Sequence, residues 1–290
     1  MKKSILSIAR FISRMIPDKL YLKIIFRHRL KRKLNLKNPK YFNDKIQWLK
    51  LFKVKEEYSI YTDKYLVRTY VENTIGSEYL NEIYGVYDNA FSINDKDIPY
   101  NYIIKLTHGS DFNIVKKDGS LNNQERKKVN RWKNKKFHYK NREMVYKNIK
   151  PKILIERLIE DSKYNQIIDY KIHCFHGKPH IIQTNYEFDG KPSRNIYDLK
   201  WNKIDVVWSY ENKQLKIEKP KKLNKMLELA TKLSSPFIYS RIDFYYINDK
   251  IIFGEITFFP ASGTVLIKPV DYEEYLGSLI KLDLLKGKEN

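Results

Sequence analysis

The chain has one cysteine, Cys174, in 290 residues. That excludes an internal disulfide framework. A lone cysteine among apolar neighbours reads as a small buried residue and not as a nucleophile. No run reaches the ~20 apolar residues that a transmembrane helix needs. No internal repeat is visible. His108 has no histidine or cysteine partner at metal-ligand spacing. The loop that follows Lys105 does not have the order of glycines and lysine of a Walker A motif.

What the chain has in excess is positive charge. Lysine and arginine number 56 against 34 acids, a formal net charge of +22. Such a surface attracts anions, whether nucleotide, acidic polysaccharide, anionic lipid or nucleic acid. Heavy use of Lys, Ile, Asn and Tyr also matches AT-rich codons, so charge alone selects no partner. The length suits one large domain or two modest ones.

Residues 3–16 read as a basic amphipathic helix, with Ile5, Ile8, Ile12 and Ile16 on one side and Lys3, Arg10 and Arg14 on the other. Arg10 and Arg14 interrupt the apolar stretch, so it does not read as a secretory signal. A second basic stretch, Lys23 to Lys33, is interleaved with apolar residues. The two stretches fit either a peripheral contact with anionic lipid or packing on the protein body. A helix capped by Asn43 is expected near 43–50, and another from about Asp63 to Gly76. Further helices are expected over 222–233 and 272–285. Strands are expected over 102–106 and 152–159, with a hairpin turning at 177–179. The stretch 114–150, centred on QERKKVNRWKNKKFHYKNRE, reads as a solvated helix or a loop folding over an anion.

Lys105 ends a short strand and leads into His108-Gly109-Ser110. An ammonium beside the N–H groups of a tight turn suits phosphate. Glu156 is an acid inside an apolar run and needs a partner. The richest stretch is Ser240 to Gly263. Side chains alternate along strands, so Arg241 and Asp243 share one face, as do Glu255 and Thr257. A three-residue turn, Asn248 to Lys250, puts Asp243 opposite Glu255 and Arg241 opposite Thr257. A two-residue turn would put the acids on opposite faces. Facing like charges destabilise a ladder, and a divalent cation removes that penalty. An ordinary hairpin with solvated acids is the competing reading.

In chain order, Asp63-Lys64 with Arg68, Lys105 before its Gly/Ser loop, Leu154-Ile155-Glu156-Arg157, Arg241-x-Asp243-Phe244, Gly254-Glu255-Ile256-Thr257 and Pro260-x-Ser262-Gly263 resemble the ATP-grasp superfamily. NPKYFNDKIQWLK, YTDKYLVRTYV, IIKLTHGSDFN, DYKIHCFHGKP and GEITFFPASG resemble its TupA-like branch, associated with teichuronopeptide biosynthesis. The resemblance begins near Asn38 and leaves residues 1–35 outside.

It implies an α+β fold of two lobes whose antiparallel sheets grip ATP, preceded by N-terminal helices. The corresponding division is a basic helical region over 1–60 and a catalytic domain over 61–290, with a lobe boundary near 150–185. It implies that Arg68, Lys105, Gly109 and Ser110 hold or cover the ATP phosphates. Glu156 would sit by adenine, Asp169 by the ribose, and Ile159 would line the same site. Asp243, Glu255 and Thr257 would take Mg2+, with Thr257 where an Asn is usual. Arg241 and Lys105 would act on the transferring phosphoryl group, and Ser262, Gly263 and Arg194 on the second substrate.

The activity implied is ATP- and magnesium-dependent carboxylate–amine ligation through an acyl phosphate. The partner would be an acidic or amino-acid-modified glycan precursor. The setting would be cytoplasmic, with residues 1–35 against the anionic inner face of the membrane. Nucleic acid is not the expected partner, because no nucleic-acid module accompanies the basic stretch. A sugar kinase on the same fold, a glycosyltransferase in the same polysaccharide pathway, for which no Asp-x-Asp metal motif is expected here, and a non-enzymatic polyanion-binding protein are the alternatives.

Overall fold

A computed structural model describes residues 14–53, 57–99, 101–110, 112–117, 119–210 and 215–282. The helix expected over 3–16 falls almost wholly outside them. In chain order the elements are α1 (Asp18–Leu30), α2 (Phe42–Phe52), α3 (Tyr58–Thr62), α4 (Val67–Ile75), β1 (Ile83–Tyr87), β2 (Tyr102–Leu106), β3 (Asn113–Lys116), α5 (Asn123–Lys133), α6 (His138–Asn141) and β4 (Ile153–Arg157). There follow β5 (Asp169–Phe175), β6 (Lys178–Phe188), β7 (Lys191–Tyr197), β8 (Lys203–Ile204), β9 (Val207–Trp208), α7 (Leu223–Ser234), β10 (Tyr239–Ile247), β11 (Lys250–Thr257), β12 (Ile267–Lys268) and α8 (Val270–Leu279).

Alternation builds the first sheet. Tyr102, Ile104 and Leu106 of β2 are buried, while Ile103 and Lys105 face the other way and are half-buried. The sheet is antiparallel in the order β1-β4-β2-β3. Val129 of α5 joins the core on its buried face. Helix α5 starts at a capping box in which Asn122 and Glu125 satisfy each other's backbone N–H groups. The centre of the basic stretch is therefore a helix over Asn123–Lys133, anchored by its apolar side.

The second sheet runs β11-β10-β5-β6-β7-β8, again antiparallel. Helix α7 covers its apolar face with Leu223, Met226, Leu229 and Leu233, all buried. Phe42, Ile46 and Leu49 of α2 and Val67 and Val71 of α4 join the same core. Each such side chain contributes about 1.5–3 kcal/mol on burial. Helices α2 and α4, which precede the first sheet in the chain, thus pack on the second.

Several local expectations are corrected. Helix α2 follows Tyr41 without a side-chain cap. Asn43 is instead buried, with its amide donating to Glu273 Oε1 at 2.7 Å and to the Val265 carbonyl at 2.9 Å. The helix expected from Asp63 begins at Val67, and Asp63 accepts from the N–H groups of Tyr65 and Leu66. The turn expected at 177–179 lies one residue earlier, because β6 starts at Lys178. The last helix ends at Leu279, short of 285.

The hairpin of β10 and β11 carries the most informative correction. Its turn has two residues, Asn248 and Asp249, both left-handed at φ 50° and 59°. Such a turn matches the twist of paired strands and favours Asn and Asp. Ile247 therefore pairs with Lys250, and on that register Glu255 would miss Asp243. A bulge at Gly254 inserts one extra residue, after which Asp243 pairs with Glu255 and Arg241 with Thr257. The expected facing of the two acids holds, but its cause is the bulge and not the turn.

Candidate active site

The bulge matters because of what stands beside it. On β5, Asp169, Lys171 and His173 point to one face; on β10, Tyr245, Asp243 and Arg241 lie opposite them in that order. Glu255 and Thr257 of β11 extend the same row. Tyr170, Ile172, Cys174, Ile242 and Phe244 alternate onto the other face and are buried in the core. Period two thus separates a charged face from an apolar one.

That charged face closes one side of a cavity of about 280 Å3. Lys64, Arg68, Asn81, Lys105, Ser110, Asn113, Glu156 and Ile159 line it from the part of the chain before β5. Asp169, Lys171, Asp243, Tyr245, Phe253, Gly254 and Glu255 line it from β5 onward. Lys105 projects from the unburied side of β2 and meets Glu156 Oε2 at 2.7 Å. Lys64 donates to the Gly109 carbonyl. Burial lowers the proton affinity of both Lys64 and Arg68.

Arg241 is the pinned group. Its Nε and Nη2 donate to the two oxygens of Asp243, each at 2.7 Å, a bidentate fork. Nη2 also reaches Glu255 Oε1 at 3.2 Å and Thr257 Oγ1 at 3.1 Å. Lys171 approaches Asp243 Oδ2 at 2.6 Å and Asp169 Oδ2 at 3.3 Å. Burial opposes ionisation of Asp243, but Arg241 and Lys171 outweigh it and hold the carboxyl below its ordinary range. Asp169 goes the other way: burial raises it, against the pull of Lys171.

Asp243 and Glu255 offer carboxylate oxygens, hard donors that suit magnesium. Among the described residues no group of three or more His, Cys, Asp and Glu is arranged to hold a metal ion. Both Asp243 oxygens already accept hydrogen bonds, so free donor capacity is greatest at Glu255, whose side chain is 41% exposed. This donor set fits a cation that arrives with phosphate and water ligands of its own, not an all-protein cage.

Most of the expected site residues meet here. Arg68, Lys105, Ser110, Glu156, Ile159, Asp169, Asp243 and Glu255 line the one cavity. Arg241 and Thr257 lie directly behind its acids. Gly109 contributes a carbonyl to Lys64 and is not part of the lining. Ser262, Gly263 and Arg194 are elsewhere. Arg194 is buried, donating to the Trp208 carbonyl and to Asn185. Burial and the nearby Arg241 lower its pKa to about 10. Ser262 sits in a turn of three left-handed residues, Ala261, Ser262 and Gly263, at φ 45°, 60° and 61°. Left-handed backbone costs roughly 1–2 kcal/mol per non-glycine residue. Gln47 donates to the Ser262 and Gly263 carbonyls, and Lys50 to the Ser262 carbonyl and hydroxyl, clamping the turn.

Lys171 was not singled out from the sequence. Its spacing of two from Asp169 is a signal, since it places both on one face, but its decisive partner lies 72 positions along the chain.

A family model described as TupA-like ATPgrasp matches residues 44–281. Among curated proteins none matches. Among solved structures, the D-alanine–D-alanine ligase from Bacillus anthracis is 14% identical, covers 80% of this chain and 70% of its own, and has a TM-score of 0.45. The D-alanine–D-alanine ligase from Helicobacter pylori is 16% identical over 83% of this chain and 69% of its own, at 0.42. The ATP-grasp ligase PsnB, complexed with minimal precursor, is 9% identical over 80% and 62%, at 0.43. The family match spans most of the chain and defines an ATP-grasp protein. More narrowly, the chain belongs to the TupA-like ATP-grasp family.

Proposed function

We propose that the enzyme is an ATP- and magnesium-dependent carboxylate–amine ligase acting on an acidic or amino-acid-bearing glycan precursor of the cell surface. One observation carries this reading. Lys64, Arg68 and Lys105 face Asp169, Asp243 and Glu255 across a single cavity, with Lys171 and Arg241 set among the acids. The first set suits a polyphosphate; the second suits its metal and the phosphoryl group in transfer.

In this reading Lys105 and Arg68 bind and orient the phosphates, and Ser110 lies over them. Arg241, fixed by its fork to Asp243, presents charge that needs no rearrangement during reaction. Asp243 and Glu255 would hold magnesium, which when bound neutralises charge on the phosphate oxygens. A substrate carboxylate attacks the γ-phosphorus as ADP leaves, and an amine then displaces phosphate from the acyl phosphate to give an amide. The net charge of +22 supports an acidic acceptor.

The alternatives make separable claims. A kinase using the same cavity would consume ATP without incorporating an amine. The expected absence of an Asp-x-Asp triplet is corrected by Asp95-Lys96-Asp97, the one to weigh for a glycosyltransferase. It forms a short 3-10 turn in which Asp95 pairs with Arg126, outside the cavity lining.

The test is thermal unfolding with Mg·ATP, ATP plus chelator, or UDP-sugars. A ligand at 100 times its Kd adds ~2.7 kcal/mol. Mg·ATP is expected to stabilise the wild type, and chelator or Glu255→Ala to remove the effect. Loss of one preorganised polar group costs ~10²–10³ in turnover, so Glu255→Ala is expected to lose at least that. Stabilisation by a UDP-sugar with no response to ATP would overturn the reading.

A further inference from the structure

Helix α1 has two apolar sides. Leu22 and Phe26 are buried with Leu34 in a small core of their own. Leu20 and Ile24 are 51% and 50% exposed. Residues four apart share a helix face, so Leu20 and Ile24 form a short ridge pointing away from the body. Lys19, Lys23 and Arg27 follow the same spacing beside the ridge, Lys31 caps the helix's end, and all four are exposed. Among the described residues none of these four cations has a carboxylate partner.

The helix is not free to roll and hide the ridge. Asp18 pairs with Arg142 at 2.7 Å, and the Arg142 guanidinium lies 4.2 Å above the Tyr21 ring. Arg29 donates to Thr264 at 2.7 Å. Just past the helix, Arg32 donates from Nη1 to both Asp44 oxygens and from Nη2 to Glu273 of α8. These ties hold the exposed face outward on a fixed base.

We propose that this face docks on an anionic lipid surface. Aliphatic side chains entering the headgroup boundary, with lysine and arginine meeting lipid phosphates, is the mode of an interfacial helix. A soluble polyanion would use the cations and leave Leu20 and Ile24 idle. Among the described residues no helix is long and apolar enough to cross a membrane, and the docking face needs no crossing. The inference stands on α1 alone and does not depend on the ligase chemistry.

The experiment is co-sedimentation of the full chain with vesicles of phosphatidylcholine, alone or mixed with phosphatidylglycerol. The wild type is expected to pellet with the mixed vesicles, less so as salt is raised, and not with phosphatidylcholine alone. Leu20→Ser with Ile24→Ser keeps every charge and is expected to weaken partitioning about tenfold or more. Matching thermal melts would show that this variant is folded. Failure of the wild type to pellet with mixed vesicles would overturn the proposal. So would serine-variant partitioning equal to wild type, or heparin binding as tight as vesicle binding and unaffected by the serines, which would mark a general polyanion surface.

Discussion

Lys171 offers the sharpest test of how the site is held together. Its ammonium lies between two acids, 2.6 Å from Asp243 and 3.3 Å from Asp169, and its side chain is only 9% exposed. Lys171→Met keeps the stem and removes the charge. Breaking a buried pair by deleting one partner costs about 3–5 kcal/mol. Arg241 still forks onto Asp243, so the lower end, about 3 kcal/mol, is expected. For a chain of this size that is a fall of about 5 °C in Tm.

The dependence on pH follows from the two acids. Asp243 titrates below its unfolded value, so its stabilisation is present above the unfolded pKa and is lost as pH falls through the folded one. Asp169 is raised by burial, so its charge costs stability at neutral pH, and protonation relieves that cost. Without Lys171 both acids shift upward. The gap between wild type and variant should therefore be full at neutral pH and narrow toward ~pH 5. Excess magnesium, able to replace the lost ammonium, should raise the variant's Tm more than the wild type's. Circular dichroism melts at both pH values check all three outcomes. A variant that melts with the wild type, or a gap that ignores pH, would refute the reasoning.

Two further outcomes are expected. Burial pushes Lys50 from its ordinary 10.5 down to about 8, so between those values the unfolded chain holds a proton the native one lacks and stability rises with pH; Lys50→Met should lose that rise in urea midpoints measured from neutral pH to ~10. A Cβ on Gly254 would stand 3.1 Å from the Asp243 carbonyl oxygen, so Gly254→Val should spread the bulge and weaken Mg·ATP binding about tenfold or more. Titration calorimetry would show it, and unchanged affinity would mean that Glu255 does not owe its place to the bulge.

Period two made the facing of Asp243 and Glu255 legible, because polar and apolar residues alternate from Arg241 to Phe244 and from Glu255 to Thr257. The means of reaching it was hidden: Gly254 reads as one more strand residue, and only the positions of Phe253 and Glu255 relative to β10 expose it as extra. Asn43 looked like a cap because caps are local, but a tertiary partner, Glu273, claims it instead. Lys171 stayed unnoticed for the same reason. Ser262 and Arg194 show the limit of motif order, which places residues near a site along the chain without saying which way a clamped turn or a strand faces.

The strand segment between Asp243 and Glu255 holds an odd number of residues, and the odd one could have been absorbed in either of two places. A three-residue turn with regular pairing would also bring the acids face to face, but it would swing Phe253 out of the core, where its ring now meets Phe244 edge-on at 6.4 Å. Aromatic packing therefore decides where the slack is stored. Stored at Gly254, it works as an expansion joint. A change at the tip that keeps Ile247 paired with Lys250 leaves Asp243 facing Glu255, and the charged row behind the joint keeps its geometry.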